Sequence, residues 1–235
     1  MIDSAAGWLL VLNQELVAPL AGAISLGFSA LSFDPAAFRA ATTPAGRDLA
    51  LLLAFLAGVS QAAGHGLVLF LNRVPLARFA LSLVLMATIY LASAVVTAVT
   101  TTLAVDYAFR REIAYGPVIG IIALAQAPRL FGILTLAPYF GEALSRLLDV
   151  LVFGLILFGL YHGIGIPVGI AAMAALLGWA AIRLMSLLFG RPLGRAIERL
   201  RHAVAGGALT VTSQNLAEHL KGQARKLTVG KRPRE

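Results

Sequence analysis

Apolar residues in this chain run on for about twenty positions at a time, and short polar corners separate the runs. Five runs stand out: 49–71, 79–105, 118–136, 147–164 and 168–189. A helix rises 1.5 Å per residue, so about 20 apolar residues cross a hydrocarbon core of about 30 Å. The runs are continuous rather than alternating ten-residue stretches, which predicts transmembrane helices and not a barrel. Pro75 separates the first two runs, and the mixed-charge stretch Asp106, Arg110, Arg111 and Glu112 follows the second. Thr100–Thr102 predicts a turn at the end of that second run, with hydroxyls bonding back to helix carbonyls. Pro128 predicts a kink inside the third run. Gly163, Gly165 and Pro167 predict a tight turn before the fifth.

The amino-terminal part is less regular. Residues 16–33 are apolar, but Asn13, Gln14 and Glu15 precede them and Pro19, Gly22 and Gly27 interrupt them. This marginal length favours an interfacial or re-entrant segment, with a short crossing helix as the alternative. Trp8 suits an interface anchor. The following stretch, 34–47, holds Pro35 and Pro44 and reads as a solvent-exposed loop. Small residues recur every fourth position at Ala54, Gly58, Ala62 and Gly66, and Gly116/Gly120 and Gly159/Gly163 repeat the spacing. Such stripes let neighbouring helices approach closely.

Composition points the same way. Hydrophobic residues make up 59% and charged residues 13% of the 235, against about 25% charged in soluble domains. The expected fold is therefore all-α: a polytopic transmembrane helical bundle of about five spans, with the amino-terminal interfacial or re-entrant segment and a basic cytoplasmic tail. The chain divides into 1–47, 48–190 and 191–235. The tail carries ten Lys/Arg against three Glu, and so +7 of the net charge of +8. Leu193, Ile197, Leu200 and Val204 share one face of a basic amphipathic helix there, suited to anionic headgroups. Its lipid- or partner-docking candidates are Arg191, Arg195, Arg199 and Arg201. It lacks the interleaved aromatics of single-strand nucleic-acid binders. Basic residues stay inside, which puts the tail, Arg73/Arg78 and Arg146 on the cytoplasmic side and the amino terminus and Arg110/Arg111 outside. The amino terminus has no basic leader region, so the first hydrophobic helix is expected to act as an uncleaved insertion signal.

Cysteine is absent, which removes disulfides, thiolate metal sites and a Cys nucleophile. The intramembrane polar candidates are Gln61, His65, Arg129, Glu142, Arg146, Asp149 and Arg183. A charge near mid-bilayer costs at least about 2.5–3.5 kcal/mol and is rarely left unpaired. Arg129 therefore pairs with a carboxylate, pinning the third helix to the fourth, or snorkels, or lines a cavity or conduction path. Arg183 is placed to snorkel towards Arg191. Gln61 and His65, four apart, suit interhelical hydrogen bonds. No His–carboxylate cluster or paired catalytic carboxylates stand at useful spacing, so no catalytic residue, metal or cofactor is expected.

Residues 65–79 (HGLVLFLNRVPLARF), 126–129 (QAPR) and 134–147 (LTLAPYFGEALSRL) resemble the Yip1-domain membrane proteins, in particular bacterial and cyanobacterial Yip1-like sequences. Residues 14–20 (QELVAPL) distantly resemble an acidic-Leu-x-Gly-Pro motif of the eukaryotic members, with Ala18 in place of Gly. The resemblance implies a five-span bundle and a non-enzymatic role. The expected function is a scaffold or adaptor in membrane organisation, with a membrane-protein partner or a second copy of itself. The alternative is a small transporter or channel component using the Arg129 region. The implied location is the bacterial inner (plasma) membrane, or the thylakoid if the source is cyanobacterial. A mid-bilayer polar cavity favours transport, and a dry bundle with Arg129 paired favours the scaffold.

Overall fold

The computed structural model describes residues 13–71, 76–136 and 140–180, with the side chains of 13, 16, 64–71, 78 and 108 left aside. All regular structure among them is helical. A single wide turn, Asn13–Val17, leads into α1 (Ala18–Leu31). Then come α2 (Pro35–Ala41), α3 (Pro44–Leu71), α4 (Leu76–Phe109) and α5 (Tyr115–Leu124). A ten-residue 3₁₀ segment, Ala127–Leu136, follows. The described chain closes with α6 (Gly141–Ile164) and α7 (Val168–Ala180).

Four stretches are long and apolar enough to cross a membrane: Pro44–Ala63, Phe79–Tyr107, Tyr115–Leu136 and Gly141–Ile164. They correspond to the first four apolar runs. Of the fifth, 168–180 is a shorter apolar helix, and 181–189 lie outside the described residues. The 14 residues of α1 reach about 21 Å, short of a hydrocarbon core.

The stretch expected to be an exposed loop, 34–47, is helical and partly buried instead. Asp34 caps α2 by accepting a hydrogen bond from the Ala36 N–H at 2.8 Å, with Pro35 in the first turn. Phe38, at the centre of α2, is fully buried. Its ring meets Phe158 of α6 edge-on with centroids 5.5 Å apart. Thr43 then starts α3 by accepting from the Gly46 N–H at 3.2 Å, ahead of Pro44. Two Asp/Thr-Pro pairs read as loop were helix starts.

Helix α4 also runs further than expected. Thr100–Thr102 do not end it, and the helix continues to Phe109. Two of the three hydroxyls do bond back: Thr100 Oγ1 donates to the Val96 carbonyl at 2.6 Å and Thr102 Oγ1 to Ala98 at 2.9 Å, while the buried Thr101 Oγ1 has no hydrogen-bond partner among the described residues. Paired in this way, those two hydroxyls leave the helix unbroken. Helix α6 begins at Gly141, six residues before the expected start, so Glu142 and Arg146 lie on its first turns. It ends where Gly165, at φ 69°, turns left-handed and the Ile166 N–H bonds back to the Leu160 carbonyl at 3.1 Å.

The core is one cluster centred on α5, whose Val118, Ile121, Ile122 and Leu124 are fully buried. Helices α2, α3, α4 and α6 pack around it. Close approach depends on small residues. A Cβ at Gly159 would run into Phe38 and Ile121, and one at Gly58 would lie 3.0 Å from the Ala87 Cα. Helix α1 lays Ala23, Gly27 and Ala30 against α3 and leaves Ile24 and Phe28 exposed. Arg111 Nη2 donates to the Gly165 carbonyl at 3.5 Å, which brings the α4–α5 and α6–α7 connections to the same end of the bundle.

Candidate functional site

The site is built where the third crossing stretch stops being an α-helix. Pro128 has no N–H to give, so an α-helix cannot run through it undisturbed. The kink expected there is a larger change: α5 ends at Leu124, and ten residues of 3₁₀ helix replace the second half. Runs of 3₁₀ beyond 3–4 residues are uncommon, and inside a membrane the backbone groups they free need partners. Two side chains supply them. Ser60 of α3 donates to the Leu130 carbonyl at 2.7 Å and accepts from the Ile133 N–H at 3.2 Å. Gln126 Nε2 donates to the Ile122 carbonyl at 3.2 Å. Gln61, the neighbour of Ser60, packs against the backbone of this segment at Gly132.

Buried Gln126 also accepts, through Oε1, the hydroxyl of Tyr90 on α4 at 2.6 Å. The Tyr90 ring in turn faces Arg129, whose guanidinium carbon lies 5.4 Å from the ring centroid. Arg129 Nη2 donates to Asp149 Oδ1 of α6 at 2.8 Å. One chain of contacts therefore ties α4, the broken third stretch and α6 together. The Arg129 side chain is 26% exposed and that of Asp149 58%, so the arginine is the enclosed partner. Its Nε is buried and makes no hydrogen bond. Asp149 lies eight residues into α6, about 12 Å along its axis, and Gln126 sits midway along the third stretch. The cluster thus lies within the crossing stretches, midway along the third and a third of the way along α6.

Beside it lies a cavity of about 530 Å³, within the range of small-molecule sites. Tyr90, Gln126, Arg129 and Asp149 form its polar side. Val150, Phe153 and Ile156 of α6 and Ala175 and Leu176 of α7 form its apolar walls, and Trp179 lines it too. Val150, Leu176 and Trp179 are strongly exposed, so among the described residues the cavity opens sideways through an apolar rim.

The four charged residues expected to act around Arg129 separate into two pairs. Arg129 takes Asp149, while Arg146 Nη2 bonds Glu142 Oε1 at 2.6 Å one turn away on the same helix, both well exposed. His65 lies on α3, in the part whose side chains are outside the described residues. Arg183, Arg191, Arg195, Arg199 and Arg201 also lie outside them. Tyr90, Ser60 and Trp179 were missed by sequence reasoning. The available signal was weak: each is a single polar or aromatic position inside an apolar run. Gln126 entered only through the family resemblance.

These features define a class, a helical bundle with four stretches of membrane-crossing length and an ion pair beside a cavity within them. No protein-family model, no curated protein and no solved structure matches the chain.

Proposed function

We propose that this chain is a non-enzymatic integral membrane protein of the transporter or channel-component kind, which moves an amphipathic solute through the Arg129 region. In this reading 168–189 makes a fifth span, α1 lies in the interface or re-enters, and the tail stays cytoplasmic. The observation that carries it is the cavity within the crossing stretches, beside a broken helix. Secondary transporters place substrate sites near the bilayer midplane at discontinuous helices, because only there can non-helical backbone and polar side chains be both buried and useful. A static bundle has no need of such a space. The test is leaflet exchange of acyl-labelled fluorescent lipids in proteoliposomes, read by impermeant reductant. Exchange should run faster than in empty vesicles and fall with Arg129→Ala. Rates equal to those of empty vesicles would sink the reading.

A scaffold or adaptor is the second reading, favoured by the paired Arg129 and by the resemblance to Yip1-domain proteins, whose bacterial members set the expected location in an inner or thylakoid membrane. Here the tail arginines 191, 195, 199 and 201 hold anionic lipid or a protein partner, and small-residue faces build an oligomer. Crosslinking of native membranes, with the full chain compared to one truncated after Arg191, tests it. Reproducible partners that weaken on truncation support it, and recovery of the protein alone removes it.

A further inference from the structure

The cavity presents two opposite charges, and each has unused capacity. Arg129 spends Nη2 on Asp149 Oδ1 and lines the cavity with a quarter of its side chain still exposed. Among the described residues Asp149 bonds only through Oδ1, and it is more than half exposed. The pair sums to zero charge in a low-dielectric setting, where an arriving net charge would stay uncompensated and costly. A ligand that is itself neutral overall but carries both signs matches both partners. Trp179, 62% exposed on the rim, adds the aromatic face that best attracts an ammonium group. The apolar walls of Val150, Phe153, Ile156 and Leu176 suit hydrocarbon and leave few polar partners for a fully water-soluble zwitterion.

We infer that the cavity is selective for a zwitterionic amphiphile, a lipid headgroup joining an anionic phosphate to an ammonium. The phosphate bonds the Arg129 guanidinium, the ammonium sits between Asp149 and the Trp179 ring, and the chains leave over the α6–α7 rim. This rests on the proposed handling of an amphiphile and adds the headgroup class to it.

Native mass spectrometry of the full chain, released from vesicles of equal phosphatidylethanolamine and phosphatidylglycerol with a little diacylglycerol, tests it. One phosphatidylethanolamine should be retained per chain, about tenfold in preference to either other lipid. The double variant Arg129→Ala/Asp149→Ala should erase the preference. Trp179→Leu, at an exposed position that leaves folding intact, should weaken it about fivefold. Arg146→Ala, in the exposed pair away from the cavity, should not change it. Equal retention of zwitterionic and anionic lipid, or a preference untouched by the double variant and by Trp179→Leu, overturns the headgroup assignment while leaving exchange in the leaflet assay standing. No retained lipid together with no exchange overturns both.

Discussion

At the scale of single residues, the Arg129–Asp149 bond is asymmetric, and its two halves should not be equally costly to remove. Arg129 is the more enclosed partner, so losing Asp149 strands a charge that water reaches poorly, whereas losing Arg129 strands one that is mostly exposed. Asp149→Ala is therefore expected to destabilise by about 1.5–3 kcal/mol, and Arg129→Ala by less. Thermal unfolding of both variants in one detergent, alongside the double variant, checks the order; equal losses would contradict it. Gly159 offers a second test. Its missing side chain is what lets α6 lie against Phe38 and Ile121, so Gly159→Val should cost about 1–3 kcal/mol through overpacking, seen as a lowered melting temperature. Both charges were legible in the sequence because an intramembrane charge is rare and conspicuous. Which carboxylate Arg129 takes was not: Glu142 and Asp149 stand about two helical turns apart, and the choice depends on how α6 is set against the broken third stretch.

At the scale of elements, the 3₁₀ segment is held by side chains from other helices. Ser60 alone satisfies a carbonyl and an N–H there. Ser60→Ala should leave both groups unpaired in a dry setting, at about 1–3 kcal/mol. Hydrogen exchange should rise at 130–133 and stay unchanged in α6; a uniform rise would mean that Ser60 supports the whole bundle instead. Pro128 announced the interruption, but a lone proline permits a kink in a continuing helix as readily as a change of helix type. The partners at Ser60, far from Pro128 in the chain, and Gln126, two residues before it, made the difference. In α2 the opposite held: the local signals Asp34-Pro35 and Thr43-Pro44 were present, but two prolines in a short polar stretch resemble loop chemistry equally well. Burial of Phe38 decided for helix.

At the scale of the whole molecule, the Arg111–Gly165 contact puts the 110–114 connection and the α6–α7 turn at one end, as the charge-based topology requires. Because the chain has no cysteine, single cysteines report sidedness without background. Glu112→Cys and Val168→Cys are expected to react with an impermeant maleimide from the same side of sealed vesicles, and Glu142→Cys from the other. Labelling of Glu112→Cys and Glu142→Cys from one face would break the arrangement. The sequence by itself determined that the protein is helical, where four membrane-length stretches lie, and that charges sit within them. These follow from length, hydropathy and the backbone's need to bond within itself in lipid, all of which are local properties. Only the tertiary structure decided that 34–47 is packed helix, that Tyr90, Gln126, Arg129 and Asp149 join in one cluster, and that a cavity opens beside them. Those depend on which faces of distant helices meet, and an apolar run of nearly uniform hydropathy carries almost no record of its own facing.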